Sequence, residues 1–180
     1  MKIGIHDIPE EGLIWVEEVD PNQFPMIREI AEKDEIRFIS HVYIHIEVVP
    51  QYGLFDLQGR VKTTISAQCG RCLEWFDIPL DGKVAVTFAQ ELPEVEDTTG
   101  EGVELSADDM GILLLEEPVL DLSHIVEEQI LLELPYFPLC SAGCKGICFT
   151  CGTNLNTQTC SCQIQTTDPR WDALRQLKRH

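Results

Sequence analysis

Basic side chains are scarce in this sequence. Its 180 residues carry 13 Lys and Arg against 31 Asp and Glu, a formal charge of −18. A protein that wraps nucleic acid over its whole surface is excluded, because phosphate contact needs positive charge on the touching surface. Long apolar runs are missing as well. None approaches the 18 or so residues of a membrane-crossing helix. The opening MKIGIHDIPEEG lacks the basic-then-apolar pattern of a secretory leader. The chain is therefore expected to stay in the cytoplasm, with no membrane partner. Neither G-x-x-x-x-G-K-[ST] nor G-x-G-x-x-G occurs. No Ser, His and Asp stand in a nucleophile pattern, so no catalytic residue and no small-molecule substrate are assigned.

The histidines do not fill that gap. His41 and His45 share one face of an expected strand, about 13 Å apart by the rise per residue. That span is too long to chelate one ion. His124 falls early in an acidic helix and is expected to face solvent.

The charge is uneven. From Val84 to Cys144 there is no Lys or Arg, while 14 acids lie between Glu91 and Glu133. From Cys140 to the end there are five basic residues, Lys145, Arg170, Arg175, Lys178 and Arg179, against Asp168 and Asp172. A dense anionic surface steers basic proteins toward it and repels free RNA. It also keeps a protein in solution. The short basic tail is the part with the charge to meet phosphate.

Apolar residues make up 44% of the chain, enough for a core. Residues 2–5 and 13–19 read as short strands, and 25–34 as a helix with Asn22 or Gln23 near its start. In residues 41–48 every second side chain is aliphatic, which predicts Val42, Ile44, Ile46 and Val48 inward and His41, Tyr43, His45 and Glu47 outward. A second long strand is expected over 54–69 with a bend at Gly59. A third runs over 73–79 and a fourth over 83–90, after a turn at Asp81-Gly82. Connections this short force antiparallel pairing. Residues 91–110 are acidic and read as a loop, and 112–115 as a strand returning to the sheet. Residues 120–134 have helical spacing, with Asp121 or Ser123 as cap and Pro135 as the stop. Asp168-Pro169-Arg170 opens a last, basic helix. The fold class is α+β: an antiparallel sheet, open or barrel-like, with a few helices and a zinc-bound C-terminal segment. Residues 1–135 form the sheet part, acidic loop included, and 136–180 the cysteine-rich part.

Eight cysteines are present. In a reducing compartment they point to metal rather than disulfides. Cys148-Phe-Thr-Cys151-Gly152 is a zinc-knuckle pattern, with two thiolates aimed at one ion from a tight turn. Cys160-Ser-Cys162 supplies the second pair. Cys69-Gly-Arg-Cys72 is another C-x-x-C, and Cys140-x-x-x-Cys144 is left over. The economical arrangement joins these last two pairs around a second zinc. An arrangement in which Cys144 joins the knuckle and Cys140 stays free is also open. The competing chemistry for Cys69 and Cys72 is a thiol–disulfide redox pair, but nothing helical follows them as in a thioredoxin-like site.

Taken in order, several segments resemble the YceD family of large ribosomal RNA subunit accumulation proteins. They are Ile8-Pro9 with Gly12, Cys69-Gly70-Arg71-Cys72-Leu73, and LSHIVEEQILLELP over 122–135. The run Cys144 to Asn156 and Asp168-Pro169-Arg170-x-x-x-Leu174 complete the set. The resemblance implies a non-enzymatic factor for 23S rRNA accumulation or processing. Its partners would be rRNA, a large-subunit precursor, or a basic ribosomal protein. It further implies a ligand role for Cys140, where some relatives carry His, and so favours pairing Cys69 and Cys72 with Cys140 and Cys144. Zinc would then be scaffolding rather than chemistry.

Overall fold

The computed structural model describes residues 1–33, 36–91 and 111–162. The acidic loop beyond Glu91 and the basic helix opened by Asp168 lie outside the described residues. The chain divides into two compact units. One holds Met1–Ala67 and Phe76–Tyr136; the other holds Gln68–Trp75 and the chain from Phe137 onward.

In the first unit the elements run β1 (Lys2–Gly4), β2 (Leu13–Val19), α1 (Pro25–Glu32), β3 (Ile36–Phe38), β4 (Val42–Gln51), β5 (Leu54–Gln68) and β6 (Trp75–Ala89). After the acidic segment come β7 (Ile112–Leu114), β8 (Val119–Asp121) and α2 (Leu122–Glu133). The main sheet is six-stranded and open, in the order β2-β4-β5-β6-β7, with β3 also paired to β5. Among the described residues it does not close into a barrel. The described pairings are antiparallel except β6–β7, which is parallel in the register Thr87↔Ile112. β1 and β8 form a separate two-stranded sheet, with Ile3 opposite Leu120.

β4 follows its alternation. Val42, Ile44, Ile46 and Val48 are fully buried, and His41, Tyr43, His45 and Glu47 are exposed. Leu57, Val61 and Ile65 of β5, Leu80, Val84 and Phe88 of β6, and Leu122, Val126 and Ile130 of α2 complete the same cluster. Each such side chain contributes about 1.5–3 kcal/mol by leaving water.

Two expected breaks are absent. β5 runs straight through Gly59. A Cβ there would collide with the His45 carbonyl oxygen across the ladder, so this glycine permits close approach of strands rather than a bend. Asp81-Gly82 is no turn either. Both lie inside β6, with Asp81 outward beside Arg60 at 2.9 Å. Gly82 faces inward, where a Cβ would meet Gln129 Cγ of α2 at 2.8 Å. The expected third and fourth strands are thus one strand of 15 residues. It begins at Trp75 rather than Leu73, because residues 69–74 form a turn of their own.

The helix starts also carry news. Asp121 caps α2, its carboxylate accepting from Ser123 N at 3.0 Å, as the sequence indicates. α1 is entered from Phe24, which supplies no side-chain cap. Its first amides are met from α2 instead. Glu127, only 7% exposed, accepts from Met26 N at 2.6 Å and Ile27 N at 3.3 Å. His124 is exposed on α2. Among the described residues, no helix is long and apolar enough to cross a membrane.

A candidate metal centre

The second unit is built from two copies of one turn. In the first, Leu73 N donates to the Cys69 carbonyl at 2.9 Å, and Cys69 N donates to Glu74 O at 2.9 Å. In the second, Gly152 N donates to the Cys148 carbonyl at 2.8 Å, and Cys148 N donates to Thr153 O at 2.9 Å. Each turn closes on a residue just after its second cysteine with positive φ: Leu73 at 61° and Gly152 at 72°. That backbone brings both sulfurs of a C-x-x-C to one side. Glycine takes it freely, whereas leucine is strained there.

Short contacts fix the first turn to the chain that follows Phe137. Gly70 N donates to Pro138 O at 2.8 Å, and Ile147 N donates to Arg71 O at 3.2 Å. The Arg71 guanidinium donates to Cys144 O at 3.1 Å. Gly70 lies close under the exposed Phe137 ring, which a Cβ at 2.5 Å would push aside. The second turn sits on a minimal hairpin, with Ile147 bridged antiparallel to Asn154.

The result is two groups of four thiols. Cys69, Cys72, Cys140 and Cys144 form one; Cys148, Cys151, Cys160 and Cys162 form the other. Within each, the sulfurs lie within 4.8 Å of one another. Cys69 Sγ is 3.8 Å from Cys144 Sγ, and Cys72 Sγ is 3.7 Å from Cys140 Sγ. A disulfide would need about 2.05 Å. A tetrahedron with bonds of about 2.3 Å has edges of about 3.8 Å, the spacing of four thiolates on one zinc. The residues therefore fit a divalent ion of that kind in both places. Cys144 lies with Cys69, Cys72 and Cys140, and Cys140 is not left apart.

Electrostatics divide the thiols within each group. Burial pushes the Cys69 thiol up, but amides of Cys140, Cys72 and Arg71 point at its sulfur and bring it down to about 6. The amides of Cys151 and Thr150, with the Cys160 side chain, hold Cys148 at about 6. The other ends are costly to ionise. Burial and the neighbouring sulfurs of Cys144, Cys69 and Cys72 push Cys140 up to about 12. The sulfur of Cys151, then burial and Cys148, do the same to Cys162. Four thiolates cannot share so small a volume without a cation, and amide donors are already placed for the first of them.

Sequence reasoning did not foresee the part played by Asn156. Its amide donates to Cys144 Sγ at 3.3 Å and to Asn154 Oδ1 at 2.9 Å, while its oxygen accepts from Lys145 N at 2.8 Å. The bond to sulfur holds the Cys144 thiol below its ordinary value. Asn154 also ties the two turns together, donating to Glu74 Oε1 at 3.2 Å. Only the run of asparagines between the cysteine pairs hinted at this. Lys145 is exposed beside Cys144. Arg170, Arg175, Lys178 and Arg179 lie outside the described residues.

The sequence profile of the family described as "Large ribosomal RNA subunit accumulation protein YceD" matches residues 57–178. An uncharacterized protein of Mycobacterium tuberculosis is 27% identical over 154 residues, covering 78% of this chain and 70% of its own length. The "Large ribosomal RNA subunit accumulation protein YCED homolog 1, chloroplastic" of Zea mays is 28% identical over 146 residues, covering 68% of this chain and 48% of its own. The homologue of the same name in Arabidopsis thaliana is 25% identical over 155 residues, again covering 48% of its length. The chain thus spans about half of the plant proteins. No solved structure matches it.

Proposed function

Since the chain belongs to the YceD family of large ribosomal RNA subunit accumulation proteins, we propose that it serves large ribosomal subunit biogenesis as a non-enzymatic binding protein. Its direct ligand is a basic protein component of the large-subunit precursor. Two structural zinc ions shape its C-terminal unit. Cys69, Cys72, Cys140 and Cys144 would hold one, and Cys148, Cys151, Cys160 and Cys162 the other. Zinc supplies cross-linking here and no reaction step.

The observation that carries this reading is charge. The chain stands at −18 before any thiolate is counted. Four thiolates around a divalent zinc add a net charge of about −2 per site. Loading both sites therefore makes the protein more anionic, and less suited to naked RNA as a first contact. A basic ribosomal protein before assembly is the complementary partner.

A second reading, direct rRNA contact, is favoured by the concentration of Lys145, Arg170, Arg175, Lys178 and Arg179 beyond Cys140. The redox reading of Cys69 and Cys72 draws no support from the geometry, since both sulfurs sit in a four-thiol group.

A tagged pull-down from native cytosol, split into RNase-treated and untreated halves, separates the two readings. The proposal expects a basic ribosomal protein that survives RNase. Neutralising Glu91, Glu94, Glu96 and Asp97 should weaken its recovery, and reversing Arg175, Lys178 and Arg179 should not. Loss of every protein after RNase, with 23S precursor enriched, would replace the first reading by the second.

A further inference from the structure

β2 is apolar on both faces. Its register with β4 sets Leu13, Trp15 and Val19 in one row and Ile14, Val16 and Glu18 in the other. The first row faces the core, where Leu13 and Trp15 pack against it and Val19 is part of it. A strand apolar on both faces reads as one covered on both. Yet Ile14 is 62% exposed and Val16 is 56% exposed. Tyr43 of β4 stands on the same outward face, diagonal to Val16 and 37% exposed.

β2 is also an edge. It pairs with β4 and, among the described residues, with no other strand. It is seven residues long and carries no Pro, Gly or Lys to blunt it. The opposite edge, β7, has only three residues. Unmet backbone groups and uncovered apolar side chains thus coincide at one place.

Charge identifies the occupant. Between Lys2 and Arg28 there is no Lys or Arg, but Asp7, Glu10, Glu11, Glu17, Glu18 and Asp20 all lie there. Glu18 and Glu47 are exposed on the face of the apolar patch, and Glu17 is exposed in the other row of β2. A second copy laid strand on strand would set these carboxylates against their equals. A strand alternating basic and apolar residues would meet both features.

We propose that β2 takes up an extended, lysine- and arginine-rich segment of a partner protein as an added strand. Its apolar side chains rest beside Ile14, Val16 and Tyr43, and its basic ones, on the opposite face of the added strand, reach Glu17. The proposal rests on the reading of a basic protein partner and gives that partner a surface. Main-chain pairing supplies affinity, and the apolar row sets which face of the segment packs.

The probe is a fluorescent peptide of about a dozen alternating lysines and valines, titrated into the full metal-loaded chain by anisotropy. Backbone amide exchange is followed in parallel. Saturable binding should appear, with new protection confined to Leu13–Val19. The double variant Ile14→Lys, Val16→Lys should bind at least about tenfold more weakly, with unchanged metal content. Binding that the double variant keeps, or protection elsewhere, would overturn the proposal, and the basic-partner reading would then rest on the RNase experiment. Absence of peptide binding, or self-association that the double variant abolishes, would overturn it too. Amide protection in the unaltered chain decides the matter even if the double variant fails to fold.

Discussion

Leu73 occupies the position that Gly152 fills in the companion turn, with φ of 61° against 72°. A left-handed backbone costs a branched or bulky residue about 1–2 kcal/mol that glycine does not incur. Leu73 is also exposed, so little packing is lost with its side chain. Leu73→Gly should leave the metal-loaded protein as stable or up to about 1 kcal/mol more so, by thermal melting. Leu73→Val should cost stability, because β-branching deepens the strain. Asn156 gives the opposite case. Removing its donor to Cys144 Sγ through Asn156→Ala should weaken metal retention about tenfold in a chelator competition, as outer hydrogen bonds to ligands commonly do. The cysteine spacing was legible without a structure, since C-x-x-C states its own geometry. The role of Asn156 was not, because one asparagine among several in a turn has no signature.

Glu127 joins two elements by meeting the open amides of α1 from within α2. Glu127→Ala should destabilise the fold by about 1–3 kcal/mol, read from denaturant unfolding, because buried amides lose their acceptor. Glu127→Gln keeps an oxygen and should lose less. Gly59→Ala should also be costly, since the collision is with backbone that cannot step aside. Gly82→Ala should be milder, because the contacts there are side-chain atoms of Gln129 and Glu133. The sequence made the alternation of β4 and the span of α2 plain, as both periods are strict. It misplaced the glycines. A glycine after aspartate reads as a turn, and nothing local announces a helix crossing overhead. The same holds for the parallel β7, whose pairing depends on where a long acidic connection returns.

At the scale of the whole molecule, the proposed metal sites and the aliphatic core divide the work. Purified chain should carry two zinc ions per molecule by elemental analysis. Cys69→Ser and Cys148→Ser should each lose a different one. Chelation should unfold the cysteine-rich unit and leave the sheet, because structural zinc contributes about 10–16 kcal/mol in small domains while the sheet has its own aliphatic core. Acid should empty both sites, since every bound sulfur must be a thiolate. Metal content should therefore fall as pH drops.

The two four-thiol groups differ in how far apart their members lie along the chain. Cys148 to Cys162 are neighbours and can gather within one short stretch of newly made polypeptide. Cys72 waits for Cys140, 68 positions later. While the chain is being synthesised, Cys69 and Cys72 are thus exposed for several seconds at about 5–20 residues per second with half a binding site. Closing a loop of 15 residues (148–162) costs less entropy than closing one of 76 (69–144), so when zinc is scarce the local site should be filled first, and the half-loaded chain should be the species that accumulates.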